Sequence, residues 1–299
     1  EPFEVKNIMK YWVRSKDNDT HVIPTDTLYI TIDKEAVRRS GMMMASDTIP
    51  DRMVISLAGK RAIYKKDMMM LEMLAQCNWE RPLYVATTVG SDNYMNLGDN
   101  FVQEGLAYRI TPFNTKAPGA KNFDTEKVYN NVMNRFKWGG LDKPGLYIDE
   151  TVMRMCYTHR HLLAQLAMQL IAEGQKAKAE KVLRKAEKVL PEYNVPYTFM
   201  SGAADMARAY ALIGKKADAA RILNKVWADA KSYADYYLQL TGSRFMMSQN
   251  DVLRQLYIMQ NIADITQACD RSLADQRLKT VNALYAVYQA KGGAPYDGE

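Results

Sequence analysis

The chain has 299 residues, of which 47% are hydrophobic and 25% charged, with a net charge of +6. That composition excludes a disordered chain, a collagen-like fibre and a small disulfide scaffold. No stretch approaches the ~20 uninterrupted apolar residues that span a bilayer; the best run, Leu162 to Ala172, is broken by Gln165 and Gln169.

The chain starts at Glu1 rather than at a methionine, which points to a trimmed or excised segment. Glu1-Pro2-Phe3-Glu4 shows no basic segment followed by an apolar one, so no signal peptide is read there. Residues 1–150 hold 20 basic and 20 acidic residues, whereas 151–299 hold 20 basic and 14 acidic. The whole excess therefore lies in the second part, interspersed with acidic side chains. This favours solubility over a nucleic-acid groove, and no nucleic acid is expected as a partner. Cys77, Cys156 and Cys269 are far apart and odd in number. They read as three buried thiols rather than a disulfide framework, and leave the redox compartment open.

In chain order, Leu28 to Ile32 is a β-rich run ending at Asp33. Asp33 is placed to cap a short helix through Arg39 that Gly41 terminates. Met53 to Ala58 is a second strand, with Gly59-Lys60-Arg61 turning it towards Ala62-Ile63-Tyr64. Asp67 then opens a helix, Met68 to Cys77, whose apolar positions recur at helical spacing. Leu83 to Val89 is the strongest strand signal. A short helix near Tyr94–Gln103, a strand Ala107–Thr111, a surface loop over 112–123 and a helix Thr125–Phe136 follow. Gly139-Gly140 and Pro144-Gly145 mark a break, and the domain boundary is placed there. The expected organisation is α+β: a mixed α/β domain over 1–145, then an all-α tetratricopeptide-like domain over 146–299.

The repeat rests on Gly174 and Gly214, 40 residues apart. Leu163, Leu166, Ala167 and Leu170 precede the first; Ala203, Met206, Ala207 and Tyr210 precede the second. Ala179, Leu183 and Ala186 then answer to Ala219, Leu223 and Val226. Helix, glycine turn, helix with small residues at the close approaches resembles a tetratricopeptide repeat. The usual Trp is missing, and the extra residues over the common spacing fall in the Tyr193–Phe199 linker. Further helices, Val252–Cys269 and Leu273–Ala290, are too divergent to be read as repeats.

Candidate chemistry is sparse. His159 and His161, two apart on a helix, lie on nearly opposite faces and make a poor chelate, even with Cys156 nearby. Asp149-Glu150 reads as the first turn of a helix rather than a catalytic pair. There is no GxSxG, HExxH or phosphate loop. No catalytic residue, metal or cofactor is expected. Lys178, Lys181, Lys185 and Lys188 share one face of a basic helix. They read as a solvated face or, more sharply, as contact with a membrane surface or an acidic partner. Most of the tyrosines sit at core-like spacing, and the Met triplets 42–44 and 68–70 read as core filler.

One segment carries a family resemblance. In Asn78-Trp79-Glu80-Arg81-Pro82-Leu83-Tyr84-Val85-Ala86, a Trp, an Arg and a Pro directly precede an aromatic strand. Pro82 forces Arg81 into an extended conformation, fixing the directions of Trp79 and Arg81 at the strand entrance. Glu104-Gly105-Leu106-Ala107-Tyr108-Arg109-Ile110-Thr111-Pro112 is a second distinctive block, and Lys66-Asp67 stands before the helix. Together these resemble the C-terminal part of a large bacterial membrane-protein family, the domain of unknown function 2723 class, also called glycosyltransferase family 117. Its members look like protein O-mannosyltransferases that use lipid-linked sugar donors. Glu80, Leu83 and Val85 depart from the family's usual Lys or Arg, Ile and Phe.

The resemblance implies a multi-spanning N-terminal region holding the catalytic and lipid-sugar sites. This chain is then its soluble C-terminal region on the periplasmic side of the inner membrane. Its own N-terminal membrane region and acceptor proteins are the implied partners, and the segment itself is expected to have no activity. Trp79, Arg81, Tyr84, Glu104, Tyr108 and Arg109 form a binding or interdomain surface in this reading, with fold-specifying contacts as the alternative. Two rival functions are a free-standing helical-repeat, protein-binding adaptor and an independent soluble enzyme.

Overall fold

The computed structural model describes residues 3–23 and 25–294. Glu1 and Pro2 of the N-terminal tetrapeptide lie outside the described residues. The chain divides into two compact units, Glu1–Val128 and Tyr129–Glu299. The first is mixed α and β; the second is helical and repeat-like.

In the first unit, strand β1 (Phe3–Glu4) pairs parallel with β2 (Thr27–Thr31), which pairs antiparallel with β3 (Arg52–Ser56). The alternating pattern does its expected work. Leu28, Ile30, Met53 and Ile55 are buried on one face, while Val54 is exposed on the other. The entering chain, helix α1 (Val5–Asn7) and a π-helical turn over Ile8–Val13, sends Val5, Ile8 and Met9 into the same core. Helix α2 (Lys34–Arg39) is capped by Asp33, whose carboxylate accepts the Ala36 N–H at 3.0 Å. Gly41 follows in the left-handed region, φ 65°.

Helix α3 (Lys65–Cys77) begins one turn earlier than predicted. Asp67 is not the residue that opens it: its carboxylate reaches back to the Tyr64 N–H at 3.0 Å, a bond from the third helical position to the cap. No strand forms over residues 62–64.

The second sheet runs β4 (Tyr84–Ala86), β6 (Ala107–Ile110), β5 (Phe101–Gln103), all antiparallel. The strand predicted through Val89 stops at Ala86, because the Val89 N–H turns back to the Ala86 carbonyl. The helix predicted near Tyr94–Gln103 is absent. Two 3-10 turns, Ser91–Asn93 and Leu97–Asn100, lead into β5 instead, and Met95 and Asn96 take positive φ of 54° and 58°, which no helix tolerates. The 112–123 segment is irregular as expected but not merely superficial, since Phe113 and Phe123 are buried. Helix α4 (Thr125–Asn130) continues as a π-helical turn, Asn131–Arg135.

In the second unit, α5 (Glu150–Ala172) starts at Asp149, which caps it by accepting the Val152 N–H at 2.9 Å. Then come α6 (Lys176–Val189), α7 (Ala203–Leu212), α8 (Lys216–Gln239), α9 (Gly242–Met247), α10 (Gln249–Gln267) and α11 (Arg271–Ala290). All fourteen apolar repeat positions named from the sequence are fully buried. The two glycine turns are closed by the same bonds. Gly174 and Gly214 sit at φ 76° and 84°, and Gln175 and Lys215 donate to Leu170 and Tyr210 at 2.7 and 2.9 Å. This is a Schellman closure, in which only glycine adopts the left-handed position without strain. The same closure recurs at Gly292, with Gly293 donating to Tyr288 at 3.0 Å. Cys77 and Cys156 are buried, whereas Cys269 is only partly so, a departure from the reading of three buried thiols.

Candidate functional site

The six residues singled out from the sequence do not form one surface. Helix α3 ends on Asn78 and Trp79, both left-handed at φ 46° and 61°. Two such non-glycine residues in succession are costly and persist only where packing over-determines them. Here the packing is the Trp79 ring itself, 4% exposed and part of the core. The turn that buries Trp79 leaves Arg81 exposed. Both line a crevice too narrow to admit a water molecule.

Strand register decides the rest. Tyr84 lies opposite Arg109, and Arg109 opposite Val102. With a side-chain period of two, Glu104 falls on that same face and Tyr108 on the other. Tyr108 stacks its ring on Phe101, centroids 5.5 Å apart, and packs against the core.

Tyr84, Glu104 and Arg109 do come together. The Tyr84 hydroxyl donates to Glu104 Oε2 at 2.6 Å. Arg109 approaches Glu104 Oε1 at 3.6 Å and donates to the Ser40 carbonyl at 3.0 Å. A fourth member, Lys127, escaped sequence reasoning. Its ammonium donates to Glu104 Oε1 at 2.8 Å and to the Gly41 carbonyl at 3.1 Å. The available signal was Asp124, three residues before Lys127 at the start of α4. Two cations thus hold one buried carboxylate and also the carbonyls at the C-terminal end of α2, where positive charge is favoured.

Desolvation, then the neighbouring Glu104, push the Tyr84 phenol up to about 12. At neutral pH it is a hydrogen-bond donor and not a base. The arrangement is a latch between the second sheet and α2, with no nucleophile-and-base pair in it.

In the second unit, the His159 ring packs on Phe136 and Trp138, while His161 faces the Met200 carbonyl at 3.1 Å and Asp205 at 3.6 Å. The four lysines of α6 do not act alike. Lys178 sits over the Tyr129 ring and Lys185 donates to the Met133 carbonyl, whereas Lys181 and Lys188 point to solvent. Between the lysines, Arg184 forks onto Asp218 of α8 at 2.9 and 2.6 Å, and Glu187 takes Arg221. The outer face of α6 is therefore partly an ionic ladder to the next repeat.

A further residue missed in the sequence is Arg160, fully buried on α5. It donates to the carbonyls of Leu190, Val195 and Pro196 at 3.0, 2.6 and 3.1 Å, and lies over the Tyr197 ring. Burial draws its guanidinium down to about 10, so it stays charged at neutral pH. The extra residues of the 40-residue spacing are folded around this one side chain.

Residues 1–129 match the family described as TMEM260-associated domain 2. This is a membrane-protein-associated domain family, and the match ends within one residue of the first compact unit. Comparison with curated proteins and with solved structures gives no match. Among the described residues, no helix is long and apolar enough to cross a membrane.

Proposed function

We propose that the chain is the C-terminal, periplasmic region of a membrane glycosyltransferase-like protein, without transfer activity of its own. In this reading the helical repeats bind acceptor protein, or the whole segment braces the catalytic part in its own N-terminal membrane region. The observation that carries the reading is the match of residues 1–129 to a membrane-protein-associated family. The Trp79-to-Ala86 and Glu104-to-Pro112 blocks add the glycosyltransferase resemblance. The latch at Glu104 suits a supporting role, since it ties elements together and offers no reacting group. Of the four lysines on that face of α6, Lys181 and Lys188 are the ones exposed for contact with anionic lipid.

The direct test is the reading frame upstream of Glu1. A run of transmembrane segments there supports the reading; an upstream sequence without one defeats it. The isolated chain, given lipid-linked sugar and acceptor polypeptide, should show no transfer, and measurable turnover would overturn the non-catalytic assignment. The alternative is a free-standing helical-repeat adaptor, favoured by the three closed glycine turns of the second unit. An adaptor is expressed without a membrane part and captures its partner alone.

A further inference from the structure

A cavity of about 880 Å³ opens in the first unit and shares no lining residue with the Glu104 latch. Its walls come from the π-helical turn, from residues 21–23 and 25–26, from the turn after β3 and from the first turn of α3. Trp12, Val22, Ile23, Leu57, Ile63 and Met68 make the lining largely apolar. The volume falls within the range of ~300–1,000 Å³ usual for small-molecule sites, which are apolar with a few placed polar groups.

The polar groups are few and mostly committed. Lys60 Nζ is 3.2 Å from the buried Asp67 carboxylate, so that charge is already compensated. His21 Nε2 lies 3.0 Å from the Ser15 carbonyl. Asp26 accepts the Thr27 hydroxyl at 3.0 Å. Arg61 is exposed and has no hydrogen bond or ion pair among the described residues. An open, mostly apolar cleft with one uncommitted guanidinium is complementary to a molecule with an apolar body and one anionic head. The planar fork of Arg binds carboxylate or phosphate through paired hydrogen bonds.

We propose that this cavity binds an amphipathic anion, its acyl or aromatic body against Trp12, Ile23 and Ile63 and its carboxylate or phosphate on Arg61. Asp26 on the same lining opposes a second negative charge, so the site selects a singly charged head. The proposal stands on the cavity and does not depend on the membrane-protein reading.

The test is calorimetric titration of the full chain with decanoate and decyl phosphate below their micellar concentrations and with decanol below its solubility limit. Decanoate should bind saturably at one site, about tenfold more tightly than decanol, the value of one charge-assisted hydrogen bond. Arg61→Ala should erase that preference without changing decanol affinity. Its position at the surface keeps the fold, which an unchanged melting temperature verifies. Asp26→Asn should tighten decanoate binding, and Trp12→Ala should weaken all three ligands. Decyl phosphate, largely dianionic at neutral pH, should bind more weakly than decanoate and still lose affinity in Arg61→Ala. Absence of saturable decanoate binding, equal affinity for decanoate and decanol, or a preference that survives Arg61→Ala would overturn the proposal.

Discussion

The Tyr84 hydroxyl and the Glu104 carboxylate, 20 residues apart in the chain, meet at 2.6 Å on one face of the second sheet. Arg109 and Lys127 close on the same carboxylate and carry it to the end of α2. Glu104 is therefore the keystone of the first unit.

Glu104→Ala removes the shared carboxylate and leaves Arg109 buried without its counter-charge. A loss of about 3–5 kcal/mol in unfolding free energy is expected, the cost of breaking a buried ion pair from one side. Urea denaturation of the full chain measures it, and a loss under 1 kcal/mol would show that the latch is not structural.

Tyr84 gives the latch a pH signature. Its folded value is raised to about 12 from an ordinary 10.0. The unfolded chain then ionises first, so the contribution of Tyr84 is complete below pH 10 and lost as pH rises through 12. Wild type should lose more stability than Tyr84→Phe between pH 10 and 12. Parallel alkaline limbs for the two proteins would contradict this.

His161 works at lower pH. The Asp205 carboxylate, 3.6 Å away, raises its value, aided by the Met200 carbonyl and opposed by burial and by Arg160. The sign follows: this contribution is full below pH 6.5 and fades as pH rises through the raised value. The stability gap between wild type and His161→Gln should be wider at pH 5.5 than at pH 8.5, as thermal melts at the two pH values will read. A constant gap would rule out the pair.

Three glycines separate two kinds of strain. Gly174 and Gly214 have positive φ with open space where a Cβ would stand, so alanine should cost about 1 kcal/mol at each, and the same at both. Gly202 also has positive φ, but its Cβ would lie 3.1 Å from the His161 ring and backbone nitrogen. Gly202→Ala should lower the melting temperature more than either of the others.

Much of the second unit was legible because one spacing repeats. A shared glycine turn and small residues at helical intervals suffice to place α5 to α8, and the same residues prove to be buried. What escaped was long-range. Nothing local announces that Arg160 gathers carbonyls from a linker 30 and more residues away, or that Lys127 meets Glu104. In the first unit, Thr87-Thr88-Val89 has strand propensity but runs past its partner strand, and tertiary pairing overrides propensity. Trp79 looked like a surface anchor beside Arg81. The left-handed pair Asn78-Trp79 sends it inward, a backbone choice that composition does not reveal. The cavity at Trp12 joins four separate segments and had no sequence signature.

The central claim, that this chain is the extracytoplasmic tail of a membrane protein, is most directly tested by a topology reporter on the full-length protein. Alkaline phosphatase, which folds only outside the cytoplasm, is joined after Glu299, and β-galactosidase is joined there in a parallel fusion. The account predicts an active phosphatase fusion in the membrane fraction and an inactive galactosidase. An active galactosidase fusion in the soluble fraction would contradict it.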